Sequence, residues 1–139
     1  MNWFRMSAVM IAAGLLAIGS SREVSAQVQA PPTRHQQPLR TDLAGMPDQE
    51  TLVDTFEYAA SGGTNWHIHP DGHEISYVLE GIWISEADGR EVKTLKAGDS
   101  VYVPPNTPHR GYSDASGPSR ILVVRIKPKG MPVTTPFVR

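Results

Sequence analysis

A chain of 139 residues, 40% hydrophobic and 19% charged, is sized for a single domain. With 13 basic against 14 acidic residues and a formal net charge of −1, it offers no electrostatic footprint for nucleic acid or an anionic membrane. It contains no cysteine, so a close-packed core, a bound metal or a partner subunit must do the work that disulfides do in many exported domains.

Met1–Met6 carries Arg5 ahead of the 13-residue apolar run SAVMIAAGLLAIG (Ser7–Gly19), and a small-residue exit places Val24 and Ala26 at −3 and −1 before Gln27. These are the three parts of a secretory signal peptide. A bilayer span needs about 20 apolar residues, so residues 1–26 are read as a cleaved signal. The product is then periplasmic or secreted, without a stable membrane anchor. There is no cysteine for a lipoprotein anchor and no twin-arginine pair, which implies export in the unfolded state. Cleavage would remove Arg5, Arg22 and Glu23 and move the formal charge from −1 to −2.

Gln27–Arg40 (QVQAPPTRHQQPLR) is polar, proline-bearing and aperiodic. Residues 27–50 are read as a flexible N-terminal arm, able to pair with the barrel or with a neighbouring subunit. His35, within it, is read as a solvated tail histidine.

From Thr51 the chain is strand-like and punctuated by turns. TLVDTFEYA (Thr51–Ala59) is rich in β-branched and aromatic residues, SGGTN turns, WHIH (Trp66–His69) alternates, PDG turns, and EISYVLE (Glu74–Glu80) runs to Gly81. IWISE and REVKTL flank Ala87–Gly89, where Asp88-Gly89 is a hairpin signal. VYVPP (Val101–Pro105) follows the KAGDS turn, and RILVVRIK (Arg120–Lys127) is the most continuous apolar strand, with Arg120, Arg125 and Lys127 placed at its edges. Short, regularly spaced strands and no amphipathic helix in the mature chain make residues 51–139 an all-β barrel or sandwich.

Three of the five histidines fall in HIHPDGHEISYVLEG (His67–Gly81). On a strand, His67 and His69 project from one face. PDG turns the chain back, and Glu74 opens the returning strand close to that pair. Two imidazoles and a carboxylate suit a divalent first-row transition metal. His109 lies far along, in a loop stiffened by Pro104, Pro105 and Pro108, and a stiff loop can hold an imidazole at bonding distance.

In these residues the chain resembles the cupin superfamily. That family's first motif is a glycine, five residues, HxH, three or four residues, E, six residues, G. Here His67-Ile68-His69, Glu74 and Gly81 keep the spacing, while Ser61 occupies the leading glycine position and Gly62 and Gly63 come late. The second motif is a glycine, five residues, PxG, two residues, H, three residues, N. Gly98, Pro104, Asn106, His109 and Ser113 occupy it, Asn106 standing for glycine and Ser113 for asparagine. Asn tolerates a left-handed position; the serine leaves open how that loop end is tied down. The resemblance covers most of Thr51–Lys127. It implies a double-stranded β-helix (cupin jelly-roll) with His67, His69, Glu74 and His109 binding one metal inside.

Around these four, His73 is expected on the other strand face, in the ligands' outer shell or at the surface. Tyr77, Trp83 and Tyr112 are candidates to line a substrate cavity, with core or dimer contacts as the alternative. Arg110 is a candidate partner for a substrate carboxylate, or a solvated charge on the rim. Many relatives with three histidines and one glutamate are dioxygenases or oxidases, so the resemblance implies a metal-dependent oxidoreductase acting on a small oxygenated or phenolic compound. The alternatives are a metal-assisted isomerase or lyase, or a non-catalytic protein that binds a small ligand or metal. Loading outside the cytoplasm favours manganese, zinc or copper, with iron and nickel also compatible with the ligands. A homodimer is expected from the family.

Overall fold

The computed structural model describes residues 29–138; residues 1–26, read above as a signal peptide, lie outside them. Ten strands follow in chain order: β1 (Arg34–Leu43), β2 (Met46–Tyr58), β3 (His67–Ile68), β4 (His73–Glu80), β5 (Ile82–Ala87), β6 (Lys93–Lys96), β7 (Ser100–Val103), β8 (His109–Ser113), β9 (Ser119–Pro128) and β10 (Thr135–Pro136). They form two five-stranded antiparallel sheets, ordered β1-β2-β9-β4-β7 and β10-β3-β8-β5-β6. No helix occurs among the described residues. The architecture is an all-β double-stranded β-helix.

The chain changes sheets between β4 and β5 at Gly81, whose φ of +77° is a left-handed turn. A side chain there would collide with the Pro118 carbonyl. Strict alternation drives the rest. Along β9 every second residue is buried, from Ser119 through Ile121, Val123 and Arg125 to Lys127. Tyr58, Val78, Trp83, Leu95, Ile121 and Val123 make the apolar core, with Phe56 and Val101 packed against it. Trp83 lies over Gly111 so closely that a Cβ at that glycine would fall on the indole.

Of the roles read for the N-terminal arm, the structure shows pairing with the barrel, as a regular strand. Residues 34–43 are a strand, paired with β2 from Arg34↔Glu57 to Leu43↔Met46, so the barrel begins before Thr51. The reason lies in what β1 carries. His35 stacks on Phe56 with ring centroids 4.4 Å apart and sets Nε2 2.8 Å from Asp54 Oδ1. Gln37 donates to the same oxygen at 3.0 Å, and Arg40 donates to both Glu50 oxygens at 2.8 and 2.9 Å. His35 is therefore not a solvated tail residue but a partner for a buried acid.

β9 also needs correction. Arg125 and Lys127 are not charges at a strand margin; they face the interior at 8% and 2% exposure. Lys127 Nζ donates to Glu50 Oε1 at 2.7 Å, and Arg125 reaches Asp54 Oδ2 at 3.1 Å. A buried charge survives only when paired and hydrogen-bonded, and these two are.

Candidate metal centre

β3 and β8 are neighbours, and His67 pairs directly with His109 across them. Two residues on, the His69 carbonyl accepts from Gly72 N at 3.2 Å and Asn106 N at 3.1 Å, which ties the turn after β3 to the loop before β8. Glu74 opens β4 opposite Arg125 of β9 and Val103 of β7. Three elements thus bring His67, His69, Glu74 and His109 to one point, with one nitrogen or oxygen from each within 4.8 Å of the others. The imidazole centroids lie 4.2 to 5.0 Å apart.

Each imidazole is held the same way. His67 Nδ1 lies 2.7 Å from the Asn65 carbonyl, His109 Nδ1 lies 2.8 Å from the Thr107 carbonyl, and His69 Nδ1 contacts the Val133 carbonyl. A carbonyl only accepts, so each Nδ1 carries the proton, and the Nε2 lone pair is what the neutral ring turns inward. His69 Nε2 and His109 Nε2 are buried with no hydrogen-bond partner. They nevertheless lie 2.7 Å and 3.6 Å from the Glu74 oxygens. Acceptors crowded against a carboxylate are what a cation would reconcile, so the residues present fit a divalent metal ion.

Arg125 sets the charge of the group. Its Nε and Nη2 reach Glu74 Oε2 at 3.0 and 2.9 Å, and Ser76 donates to Oε1 at 3.1 Å. Burial pushes the Glu74 carboxyl up, but the Arg125 charge, helped by the neighbouring imidazoles, holds it well below the usual range. His67 is pushed down to about 4, first by burial and then by His109. At neutral pH His67 therefore presents a neutral nitrogen and Glu74 an ionised oxygen.

The two departures from the motif resolve locally. Ser61 and Asn106, standing where the pattern has glycine, both keep left-handed backbone, with φ of +60° and +59°. Ser113, in place of asparagine, is fully buried and shares a 2.6 Å hydrogen bond with Ser119 Oγ. That bond ties the loop end to β9.

The surrounding candidates separate. His73 sits on the outer face, its Nδ1 2.7 Å from the Tyr102 hydroxyl. Tyr77 also points outward, 41% exposed. Tyr112 is on the outer face of the other sheet and donates to Glu86 Oε1 at 2.8 Å. Arg110 is bonded to both Glu86 oxygens at 2.9 and 3.2 Å and lies 5.4 Å from the Trp66 and Tyr112 rings, so its charge is already matched. Trp83 does line the interior, where a cavity of about 30 Å³ adjoins Glu74 and His109. Burial first pushes the Tyr58 phenol on its wall up to about 12.

Sequence reasoning missed Arg125 and Asp54. In RILVVRIK both strand faces are apolar, so parity alone could not tell which one carries Arg125 inward.

A family model described as a cupin domain matches residues 54–125. Over 53 residues the chain is 42% identical to the uncharacterized protein YdbB of Bacillus subtilis (strain 168), covering 38% of this chain and 47% of that one. Over 62 residues it is 36% identical to the uncharacterized protein MJ1618 of Methanocaldococcus jannaschii, covering 45% and 49%. The matches span about half the length of these curated relatives. Among solved structures, a cupin 2 domain-containing protein from Halorhodospira halophila superposes with a TM-score of 0.58 at 24% identity, covering 76% of this chain and 70% of that one. A conserved protein with a double-stranded β-helix domain from Klebsiella pneumoniae gives 0.57 at 21% identity, covering 76% and 84%. The DMSP lyase DddQ from Ruegeria pomeroyi gives 0.55 at 19% identity, covering 73% and 60%. At these identities the likeness is one of fold.

Proposed function

Because the chain belongs to the cupin domain family, we propose that it holds one divalent transition metal on His67, His69, Glu74 and His109 and serves as an oxidoreductase of the dioxygenase or oxidase type. The observation that carries the metal is the common tautomer: three Nδ1 atoms committed to carbonyls, with the Nε2 atoms of His69 and His109 turned to one carboxylate and His67 beside them. Bound there, the ion would supply Lewis-acid chemistry and, if redox-active, chemistry with dioxygen.

The protein's own part is positioning and exclusion. The Asn65, Thr107 and Val133 carbonyls fix the imidazoles, while Arg125 and Ser76 orient Glu74. Trp83, Tyr58 and Val123 restrict the adjoining cavity to about 30 Å³, space for one or two water-sized molecules. Dioxygen fits such a space. Among the described residues on its wall, the titratable groups are Glu74, His109, Tyr58 and two ion-paired arginines, Arg110 and Arg125. Glu74 and His109 are proposed ligands, the arginines are ion-paired, and burial keeps the Tyr58 phenol protonated, so the wall offers no ready general base, which favours oxygen chemistry over a lyase or isomerase. The small cavity also supports a second reading, a protein that binds metal or a small ligand without turning it over.

The segment Met1–Ala26 supports export as a proposal, with loading outside the cytoplasm by manganese, copper or zinc. Elemental analysis of protein recovered from its native compartment, followed by a screen of small oxygenated and phenolic compounds under air and argon, tests the whole. Manganese or copper with turnover in air alone is expected. Equal turnover under argon moves the reading to a lyase or isomerase. Zinc, which has no redox chemistry, with ligand binding and no conversion leaves the binding protein.

A further inference from the structure

We propose that Tyr58, Trp83 and Ser85 form a donor subsite beside the metal ligands, which seats the acceptor end of a ligand of two or three heavy atoms. The subsite rests on the metal reading above and defines what such a centre would take: a short ligand whose far end accepts hydrogen bonds.

The polar groups on the cavity wall fall into two sets. Ser76 is committed to Glu74, and Thr64 is committed to the Gly111 backbone, accepting from its N–H at 3.0 Å and donating to its carbonyl at 3.3 Å. The Tyr58 hydroxyl, the Trp83 indole N–H and the Ser85 hydroxyl have no hydrogen-bond partner among the described residues. All three residues line the cavity, and they are only 3%, 4% and 7% exposed.

Their positions gather them. Trp83 and Ser85 are alternate residues of β5 and project from one face, while Tyr58 comes from β2 in the other sheet. The Tyr58 and Trp83 ring centroids are 5.1 Å apart. Ser85 pairs across its sheet with Gly111. The indole edge takes the space that a Gly111 side chain would fill, since a Cβ there would lie 2.6 Å from Trp83 Nε1. The three donors thus border one cavity, which also meets Glu74 and His109.

Buried donors without partners are costly. Phenylalanine in place of Tyr58 would fill the same volume without that cost, and alanine would do so for Ser85. An indole N–H only donates, and both hydroxyls can donate with it, so the set matches acceptor atoms. Volume sets the length. A space of about 30 Å³ holds one or two water-sized molecules, and so a diatomic or triatomic ligand.

Azide is the probe, because it has three atoms, accepts at both ends, binds metals and reports hydrogen bonds through its stretching frequency. The cobalt(II)-loaded full chain is titrated with azide beside Tyr58→Phe and Ser85→Ala, followed by visible absorption and by the antisymmetric stretch of bound azide. Azide should bind about tenfold more weakly to Tyr58→Phe and about threefold more weakly to Ser85→Ala. Each variant should shift the stretch, with cobalt affinity unchanged. The metal-free Tyr58→Phe chain should melt no lower than the parent, because its lost hydroxyl had no partner. Equal azide affinity with an unmoved stretch would mean that the hydroxyls hold only water, and a lower midpoint would mean that Tyr58 is bonded within the fold. Either result overturns the subsite. So does a parent that takes up cobalt but no azide, which leaves the metal reading intact. A parent that takes up no cobalt overturns the metal reading itself, and the subsite with it.

Discussion

Along β2 the inward residues run Glu50, Leu52, Asp54, Phe56 and Tyr58; along β9, its partner, they run Lys127, Arg125, Val123, Ile121 and Ser119. The same two strands therefore fill one half of the barrel with carbon and the other with charge. In the apolar half, Tyr58, Val78, Trp83 and Ile121 are held by burial and shape. In the charged half, Glu50, Asp54, Glu74, Arg125 and Lys127 are held because each has a counterion at hydrogen-bond distance. The metal candidates border the second half. An ionised Glu74 needs a neighbouring cation, and the imidazoles need fixed carbonyls to aim them. An apolar lining would provide neither.

The sharpest way to break this contrast is Arg125→Ala. It leaves Glu74 and Asp54 as buried acids short of a counterion, a loss of about 3–5 kcal/mol. Metal affinity should fall about 10–100-fold, as when a group orienting a ligand is removed. Denaturant melts and chelator competition measure the two effects separately. Full metal affinity in a destabilised variant would make Arg125 a structural counterion only.

The Glu50–Lys127 pair asks whether all charge in that half serves the site. Lys127→Met alone should cost about 2–3 kcal/mol, below the full cost of a broken buried pair because Arg40 still holds Glu50. Combining it with Glu50→Leu should recover most of that loss, since a buried pair can be replaced by apolar residues of similar volume. Arg40, half exposed, then turns to solvent. Metal uptake should be unchanged in both. The pair also predicts a pH dependence. The Arg40 hydrogen bond, then the one from Lys127, holds Glu50 down to about 2 against an ordinary 4.5. The unfolded chain binds the extra proton between those values. The Glu50 contribution is therefore complete above about pH 4.5 and lost as pH falls toward 2. Thermal midpoints from pH 5 to 2 should drop less steeply in the double variant than in the parent.

The contrast between halves also marks how much the sequence disclosed. Strand periodicity and the HxH, Glu74 and His109 spacing were legible because they are local patterns, each read within a few residues. The charged half was not. Asp54 is one of two acids in TLVDTFEYA, with Glu57 three residues on, and its partners Arg125 and His35 lie 71 and 19 residues away. Such pairing follows from register between strands, which no local pattern states. β1 escaped for the same reason: its proline and glutamines look like a tail until Asp54 and Glu50 are seen to need its donors.

In the apolar half a truncation should behave differently. Ile121→Val, 3% exposed against Val78 and Trp83, removes one methylene and should cost about 1 kcal/mol, leaving metal affinity and the acid limb unchanged. A change in metal uptake would mean that the halves are mechanically coupled through β9 rather than merely adjacent.

The smallest expected effect separates two residues that share a backbone geometry. Ser61 and Asn106 both hold left-handed φ, where a side chain costs about 1–2 kcal/mol that glycine avoids. Glycine gives back about 0.5–1 kcal/mol of this through the entropy of the unfolded chain. Ser61 is exposed, so Ser61→Gly should stabilise by about 0.5 kcal/mol. Asn106 uses its side chain, accepting from Asp71 N at 3.1 Å and donating to Asp71 Oδ1 at 2.9 Å. Those bonds pin the turn between His69 and Glu74 to the loop carrying His109. Asn106→Gly should therefore destabilise by about 1 kcal/mol despite the easier backbone, and loosen the metal site as well. Opposite signs in paired thermal melts would show that Asn106 is held in place by its contacts, whereas Ser61 is merely tolerated.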